Sequence, residues 1–246
     1  MPRMVLYQYG NIPVLQCATT LLSPYRLTSL QEANMKTIAV VSQKGGAGKT
    51  TLALTLAGYA LSKGMRVAIL DLDPQASACS FGTFREGAGL DDDRLIIESA
   101  NAAVLDKKIT AAAKVGVDVV IIDTAPHDAP SAMSATEKAD VVLVPCRAGA
   151  FDIVSISQTI KMATLAGKRP VVVINATRPN SRQPHEVFSA VATMKVADIT
   201  PHHLSHRQDF IDAVTAGQTI QEYATTSKAA AEATALGIDV FKRLGA

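Results

Sequence analysis

Residues 38–56 read IAVVSQKGGAGKTTLALTL, and this stretch decides the fold. The four apolar residues from Ile38 to Val41 predict a buried strand, and the apolar spacing from Thr51 to Lys63 predicts a helix. Between them lies a glycine-rich turn that ends in Gly48-Lys49-Thr50. A strand that passes through such a turn directly into a helix is typical of the first unit of an α/β domain.

The rest of the chain repeats this alternation of strands and helices. Apolar spacing predicts helices over 91–114 and 228–244. Short apolar runs predict strands at 67–70, 117–122, 141–144 and 171–174, with a short sixth segment that starts at Ile199 and stops at Pro201. Nearly unbroken apolar strands between helices indicate a parallel sheet covered on both faces. We therefore expect a three-layer α/β fold with a mainly parallel, twisted sheet and ligands at the carboxyl ends of its strands.

Composition narrows the class of protein. The chain has 246 residues, 48% of them apolar, which is enough for one sizeable core. A net charge of +2 argues against a strongly basic nucleic-acid-binding protein, so any DNA contact must come from a local patch. Cys17, Cys79 and Cys146 lack metal-ligand spacing and indicate free thiols in a reducing compartment. No apolar run reaches the ~18 residues that span a bilayer, and we expect a cytoplasmic protein.

The glycine-rich turn has the residues and the context of a phosphate-binding loop (P-loop). Its glycines let backbone N–H groups face phosphate oxygens, and the helix N-terminus adds positive partial charge. Lys49 can reach the β- and γ-phosphates, the Thr50 hydroxyl can bind Mg²⁺, and Thr51 supports the loop or the α-phosphate. The sequence therefore predicts binding and hydrolysis of ATP, with Mg²⁺ as cofactor. Four residues supply the loop amides: Gly45, Gly46, Ala47 and Gly48.

A second lysine in the loop narrows the family. The string Lys44-Gly45-Gly46-x-Gly48-Lys49-Thr50-Thr51 resembles the deviant Walker A box of the ParA/MinD superfamily of P-loop ATPases. In that family the extra lysine crosses a dimer interface and touches phosphates bound by the partner subunit. The resemblance implies this role for Lys44, where a second cation stabilises charge on the transferring phosphoryl group. Lys44 and Lys49 are thus both candidate catalytic residues.

Two aspartates follow the second predicted strand, in Leu70-Asp71-Leu72-Asp73-Pro74-Gln75. By alternation Asp71 and Asp73 point the same way, and carboxylates at the end of a parallel strand suit the positioning of water and Mg²⁺. The string matches the Asp-x-Asp-Pro-Gln box of the ParA/MinD superfamily. The resemblance implies that Asp73 aligns the attacking water in catalysis and that Asp71 helps to organise the metal and the loop. It also places Gln75 in a switch that senses nucleotide and partner.

A third predicted strand ends in Ile121-Ile122-Asp123-Thr124-Ala125-Pro126, which resembles a Walker B strand and its switch loop. Asp123 is predicted to hold a Mg²⁺-bound water. Here Ala125 stands where the family often carries proline, a departure that keeps the carboxylate. The resemblance also implies that Asn175, at the end of the fifth predicted strand, reads the adenine edge, and that Pro201 lies in the nucleotide-base loop.

The resemblance covers residues 36–246, and the compact length after Met35 is similar to that of small plasmid-partition ParA proteins. It implies an ATPase that forms a homodimer on ATP binding and then binds DNA without sequence preference. It also implies a centromere-binding partner, ParB-like or ribbon-helix-helix, that stimulates hydrolysis, and a nucleoid-associated location in the cytoplasm. Four basic residues late in the chain are candidates for the DNA contact: Arg178, Arg182, Arg207 and Lys228.

Other members of the superfamily define the alternatives. A membrane-binding role needs an amphipathic C-terminal helix, and the short ending after Asp239 offers only Val240, Phe241 and Leu244, so we expect no stable membrane association. The cysteines do not fit an iron–sulfur cluster at a dimer seam, and the double-lysine box disfavours a metabolic ligase. An orphan ParA-like or MinD-like positioning ATPase, acting on a protein cargo or a membrane surface, stays the alternative function.

Residues 1–34 differ from the rest of the chain, because they contain scattered polar residues, Gly10, Pro13 and Pro24, and little periodicity. We interpret them as an N-terminal extension, flexible or loosely docked, that precedes a ParA-type ATPase domain at 35–246. Upstream sequence from an early start codon, with Met35 as the usual start, is a second interpretation. A small DNA-binding module fits less well, because no pair of periodic helices is visible.

Overall fold

The computed structural model describes residues 35–178 and 183–245, and the predicted N-terminal extension and Arg182 lie outside these ranges. Strands and helices alternate along the described chain. The strands are β1 (Lys36–Val40), β2 (Val67–Asp71), β3 (Leu95–Ser99), β4 (Val119–Asp123), β5 (Val141–Arg147), β6 (Val171–Thr177) and β7 (Asp198–Ser205). The helices are α1 (Lys49–Ser62), α2 (Ser77–Gly87), α3 (Leu105–Lys114), α4 (Ala129–Lys138), α5 (Ala150–Leu165), α6 (Gln183–Met194), α7 (Gln208–Thr215), α8 (Ile220–Tyr223) and α9 (Lys228–Leu244).

The seven strands form one sheet in the order β3-β2-β4-β1-β5-β6-β7, and every described pair of neighbours is parallel. The residues from Ile38 to Val41 face two apolar cores in alternation. Ile38 and Val40 pack with α1 and α9 on one face, whereas Ala39 and Val41 pack with α4 and α5 on the other. A strand buried on both faces needs such an unbroken apolar run. The expected three-layer α/β fold is confirmed.

The single helix predicted over 91–114 is wrong, because residues 95–99 form β3 before α3 begins. Leu95 and Ile97 pack against one core and Ile96 against the other, which is the alternation of a strand. A turn starts the strand, since the carboxylate of Asp92 accepts hydrogen bonds from the backbone and guanidinium of Arg94. The apolar run is short and only half-buried because β3 is an edge strand, so its periodicity is weak.

The prediction that Pro201 stops the sixth segment is also wrong, since β7 continues through it to Ser205. The pairing with β6 shifts register around this point, because Val172 lies opposite Ile199 and Ile174 lies opposite His203. Proline has no backbone N–H to donate and is tolerated at a bulge or on an edge strand, and β7 offers both. Among the described residues, no helix is long and apolar enough to cross a membrane.

Candidate nucleotide-binding site

The predicted P-loop lies between the end of β1, at the centre of the sheet, and the first turn of α1. Gly46 and Gly48 have left-handed backbone conformations, with φ of +70° and +89°, which residues with a Cβ atom rarely adopt. Gly48 is also the N-cap of α1, and no acidic residue follows in the first turn. The N–H groups at this helix end therefore face the loop without a competing carboxylate, as an anion site requires.

Lys49 is the first residue of α1, and only 7% of it is exposed. Burial lowers the pKa of its ammonium group, while the nearby carboxylates of Asp123 and Asp73 act in the opposite direction. The structure thus brings together the predicted phosphate lysine and two of the predicted acidic residues. A buried lysine in this position gains most when a phosphate group replaces the water it has lost.

Asp123 ends β4 beside the loop, as predicted. The Thr50 hydroxyl donates a 2.6 Å hydrogen bond to Asp123 Oδ2, and Asp123 Oδ1 is buried without a hydrogen-bond partner in the described structure. Burial, opposed mainly by the Thr50 hydrogen bond, raises the pKa of this carboxyl to about 7. A free carboxylate oxygen next to a hydroxyl suits a hard divalent cation, so Thr50 and Asp123 fit the predicted Mg²⁺.

Asp71, at the end of β2, holds the turn that follows it. Its side chain is 1% exposed and bonds to backbone amides of the following turn. Oδ1 accepts from the N–H of Asp73, and Oδ2 accepts from the N–H groups of Ala78 and Cys79 at the start of α2. Both oxygens are therefore engaged by the protein itself. These contacts organise the turn, and the role of Asp71 at the metal stays a prediction.

Asp73 lies in the turn that Asp71 holds. Its Oδ1 accepts a hydrogen bond of 2.9 Å from the N–H of Gln75, and its charge acts on Lys49. The side chain is partly exposed, so water can reach it. These contacts place Asp73 at the phosphate site, and its alignment of the attacking water stays a prediction.

Asn175 contacts the loop, and its role as an adenine reader stays a prediction. It is 4% exposed and lies under the loop, where Nδ2 donates to the carbonyl oxygens of Ala47 at 3.0 Å and Gly48 at 3.4 Å. Its Oδ1 accepts from the N–H of Ala176 at 2.8 Å. A Cβ on Gly48 would lie 2.0 Å from Asn175 Nδ2. The amide is therefore a brace for the loop, and its hydrogen-bonding groups are already used.

Lys44, the second lysine of the loop, is paired with a carboxylate of its own chain. Its Nζ forms an ion pair with Asp152 in the first turn of α5, and the two side chains are 40% and 14% exposed. Asp152 is reached across 108 residues of sequence. The Lys44 side chain is thus held at the surface beside the loop, in contact with a carboxylate that the sequence motifs do not include.

The candidate DNA contacts divide into two groups. Arg207 is engaged within the chain, because its Nη2 lies 2.6 Å from Glu232 Oε1 and its Nε lies 3.2 Å from the same oxygen. This ion pair offsets the charge of the guanidinium, and the contact of Arg207 with DNA stays a prediction. Arg178 and Lys228 are exposed, and no described carboxylate pairs with either.

Two residues near the loop were missed by the sequence analysis. Asp152 belongs to no motif, and its only signal is an acidic residue in the first turn of a helix, which the helix dipole explains equally well. Arg147 is the last residue of β5. The predicted strand stopped at Val144, so no strand end marked Arg147 in the sequence.

Comparisons with known proteins agree with this geometry. The family model of the CobQ/CobB/MinD/ParA nucleotide-binding domain matches residues 38–220. Protein IncC of Escherichia coli is 29% identical over 85% of this chain and 70% of its own. The maintenance of carboxysome distribution protein A of Gloeobacter kilaueensis is 31% identical over 65% of this chain and 71% of its own. The chromosome-partitioning ATPase Soj of Thermus thermophilus is 32% identical over 47% of this chain and 56% of its own. Another IncC is matched over only 56% of its length.

Solved structures share the fold. The ATP complex of a Cyanothece McdA variant superposes with a TM-score of 0.68 at 19% identity, over 86% of this chain and 97% of that one. MinD from Pyrococcus horikoshii, complexed with Mg-ADP, gives a TM-score of 0.67 at 18% identity, over 86% and 98%. The family model matches three quarters of the chain, and the chain carries the phosphate loop and the acidic residues beside it. This chain therefore belongs to the CobQ/CobB/MinD/ParA nucleotide-binding family and is an ATPase of the ParA/MinD type.

Proposed function

We propose that this ATPase is a Mg²⁺-dependent, nucleotide-switched homodimer that binds DNA without sequence preference and partitions plasmid or chromosome DNA with a centromere-binding partner, ParB-like or ribbon-helix-helix. The observation that carries the proposal is the position of Lys44. It belongs to the loop, its side chain is 40% exposed, and its ammonium group pairs with Asp152. A lysine so placed is available to a second subunit that docks against the loop.

Within the proposal, Thr50 and Asp123 hold Mg²⁺, and Asp123 Oδ1 is the oxygen without another partner in the described structure. A Mg²⁺ ion held there would neutralise negative charge on the phosphates of the bound ATP. Lys49 and the loop amides bind the phosphates, and Asp73 orients water. ATP then completes the site shared by two subunits, and hydrolysis releases it.

The DNA contact is proposed at the corner of the molecule where β6 and β7 end. Arg178 follows β6 directly. Lys228 starts α9, and Glu232, one turn further along that helix, binds the backbone N–H of Ser205 at the end of β7 at 2.9 Å. Both exposed cations therefore lie at the same edge of the sheet. Phosphate contacts from such side chains give affinity without base recognition.

The test is retention of the protein on DNA of arbitrary sequence with ATP, with ADP and without nucleotide. Retention should require ATP and should weaken steeply with added salt. Lys228→Gln should lower the salt slope by about one, as loss of one phosphate contact does. Lys107→Gln is the matched control, because this exposed lysine lies on α3 on the β2–β3 side of the sheet. Equal retention with ADP, or equal loss in both variants, would contradict the proposal.

The Asp73→Ala variant separates hydrolysis from DNA binding. It should accumulate the ATP-bound dimer on DNA, because water is no longer aligned while the phosphate contacts remain. Size-exclusion chromatography and phosphate release measure the two properties. Turnover at the wild-type rate would remove Asp73 from the proposed mechanism.

A second candidate function is the positioning of a protein cargo instead of DNA, as an orphan ParA-like or MinD-like ATPase. The relative from Gloeobacter kilaueensis, whose name refers to carboxysome distribution, favours it. The two functions differ in the partner that stimulates hydrolysis. A small gene directly downstream that encodes a ribbon-helix-helix or ParB-like protein supports partition, and stimulation of ATPase activity by that protein tests it.

A further inference from the structure

Arg147 places a guanidinium group beside the tip of the P-loop. It ends β5, the strand next to β1, and lies opposite Asn175 in the register with β6. The position that a Cβ would take on Gly46 is 3.8 Å from Arg147 Nη2. The side chain is exposed. It therefore reaches the loop from the side opposite β4, where the Mg²⁺ candidates Thr50 and Asp123 meet.

Among the residues that the structure describes, none is a partner for this guanidinium. Within the described residues, no carboxylate lies within ion-pair distance of Arg147, and its side chain makes no hydrogen bond. Arg85 and Arg207 are instead engaged with Glu222 and Glu232. A planar fork of five N–H donors without an acceptor, held next to a phosphate loop, is suited to phosphate oxygens.

The balance of charge around the loop favours such a contact. Carboxylates of Asp71, Asp73 and Asp123 surround the site, and Lys49 is the buried cation among them. Lys44 carries a second positive charge, but Asp152 neutralises it within the chain. A bound triphosphate adds further negative charge. Arg147 lies beside the loop tip and, among the described residues, has no carboxylate partner.

We propose that Arg147 contacts the terminal phosphate of the nucleotide bound by its own chain, and that it thereby distinguishes ATP from ADP. This inference rests on the ATPase activity and on the P-loop assignment, and it does not require the DNA or partner roles proposed above. Charge-assisted, two-pronged hydrogen bonds from arginine are stronger than those of neutral donors and are lost when the terminal phosphate leaves. Arg147 then makes the protein bind ATP more tightly than ADP.

The test compares the affinities of ATP and ADP in Arg147→Gln, Arg147→Lys and Arg94→Gln, by isothermal titration in the presence of Mg²⁺. Arg94 is the matched control, since it is exposed, sits before β3 at the opposite edge of the sheet and pairs only with Asp92 among the described residues. We expect Arg147→Gln to weaken ATP binding about tenfold and ADP binding less than about twofold. Arg147→Lys should recover part of the loss, because it keeps the charge without the fork.

Two outcomes would overturn the inference. Equal weakening of ATP and ADP would mean that Arg147 only supports the shape of the loop, and unchanged affinities would mean that it contacts no phosphate. Thermal melting of each variant serves as the control for folding, because a variant that melts like the wild type has lost nucleotide affinity and not its fold. A Lys49→Ala variant in the same titrations identifies a failure of the loop assignment itself, because that failure would leave Lys49→Ala with normal nucleotide binding.

Discussion

The carboxyl edge of the sheet has two halves that differ in how their side chains are used. On the β2–β4–β1 half, Lys49, Thr50, Asp73 and Asp123 converge on the loop, and Asp123 keeps an oxygen without a partner in the described structure. On the β5–β6–β7 half, several polar side chains bond to the protein itself. Asn175 braces the loop there.

This difference has a physical origin. The first half binds phosphate and metal through the ends of strands and a helix N-terminus, which short contiguous motifs encode. In the second half, Asn175 and Arg207 bond to residues that belong to no shared motif. Asn175 bonds to Ala47 across 128 residues, and Arg207 bonds to Glu232 across 25. Contacts of this kind decide whether a polar residue is available to a ligand, and a motif does not contain them.

The largest expected effect is a loss of ATP affinity, caused by a substitution in the first half. Lys49→Ala should lower ATP affinity by at least about a hundredfold, because a buried charge that faces the phosphates is removed. Titration with ATP measures it, and Lys63→Ala, an exposed lysine at the other end of α1, is the control. ATP affinity equal in both variants would show that phosphate is bound elsewhere.

The next effect tests the contact between the two halves. Gly48→Ala places a methyl group 2.0 Å from Asn175 Nδ2 at a φ of +89°, so we expect a loss of about 2–4 kcal/mol in the free energy of unfolding. Gly45→Ala is the matched control, since its Cβ meets no atom within 4 Å. Adding Asn175→Ala to Gly48→Ala should recover part of the loss, because only the backbone strain remains. Additive losses in urea melts would contradict the predicted clash.

A third prediction concerns the second half alone. Burial opposes ionisation of Glu232, but hydrogen bonds from Arg207 and Ser205 lower its pKa below the ordinary 4.5. Glu232→Gln should therefore reduce the free energy of unfolding by about 1–3 kcal/mol at pH 7. Because the folded pKa is lowered, this difference is present above pH 4.5 and disappears as the pH falls through the folded value. Exposed Glu137→Gln should change little at any pH, and a pH-independent difference would exclude the ionic contribution.

The smallest expected effect concerns Lys44. Asp152→Asn removes the carboxylate that holds this lysine within the chain, and an ion pair this exposed contributes up to about 1 kcal/mol. If the proposed dimer uses Lys44, it should form at a few-fold lower protein concentration with ATP, as measured by analytical ultracentrifugation. Asp91→Asn, at an exposed loop position, serves as the control. Weaker dimerisation of Asp152→Asn would mean that the carboxylate positions the lysine instead of restraining it.

The same division explains which parts of the structure could be predicted. Unbroken apolar strands and a glycine-rich turn were sufficient for the fold and for the meeting of Lys49, Thr50 and Asp123, because both depend on local patterns. The strand β3 was missed because an edge strand of five residues carries little periodicity. Pro201 was misread since tolerance of proline depends on the neighbouring strand, which a linear sequence does not reveal.

The bonds between Asn175 and the loop have a mechanical consequence. Ala47 and Gly48 cannot move without either breaking these hydrogen bonds or drawing the end of β6 with them, because the amide is buried and has no room to turn. Arg178 lies three residues after Asn175, on the surface. A displacement of the loop at these two residues would therefore act on the end of β6, close in sequence to a cation that faces the solvent.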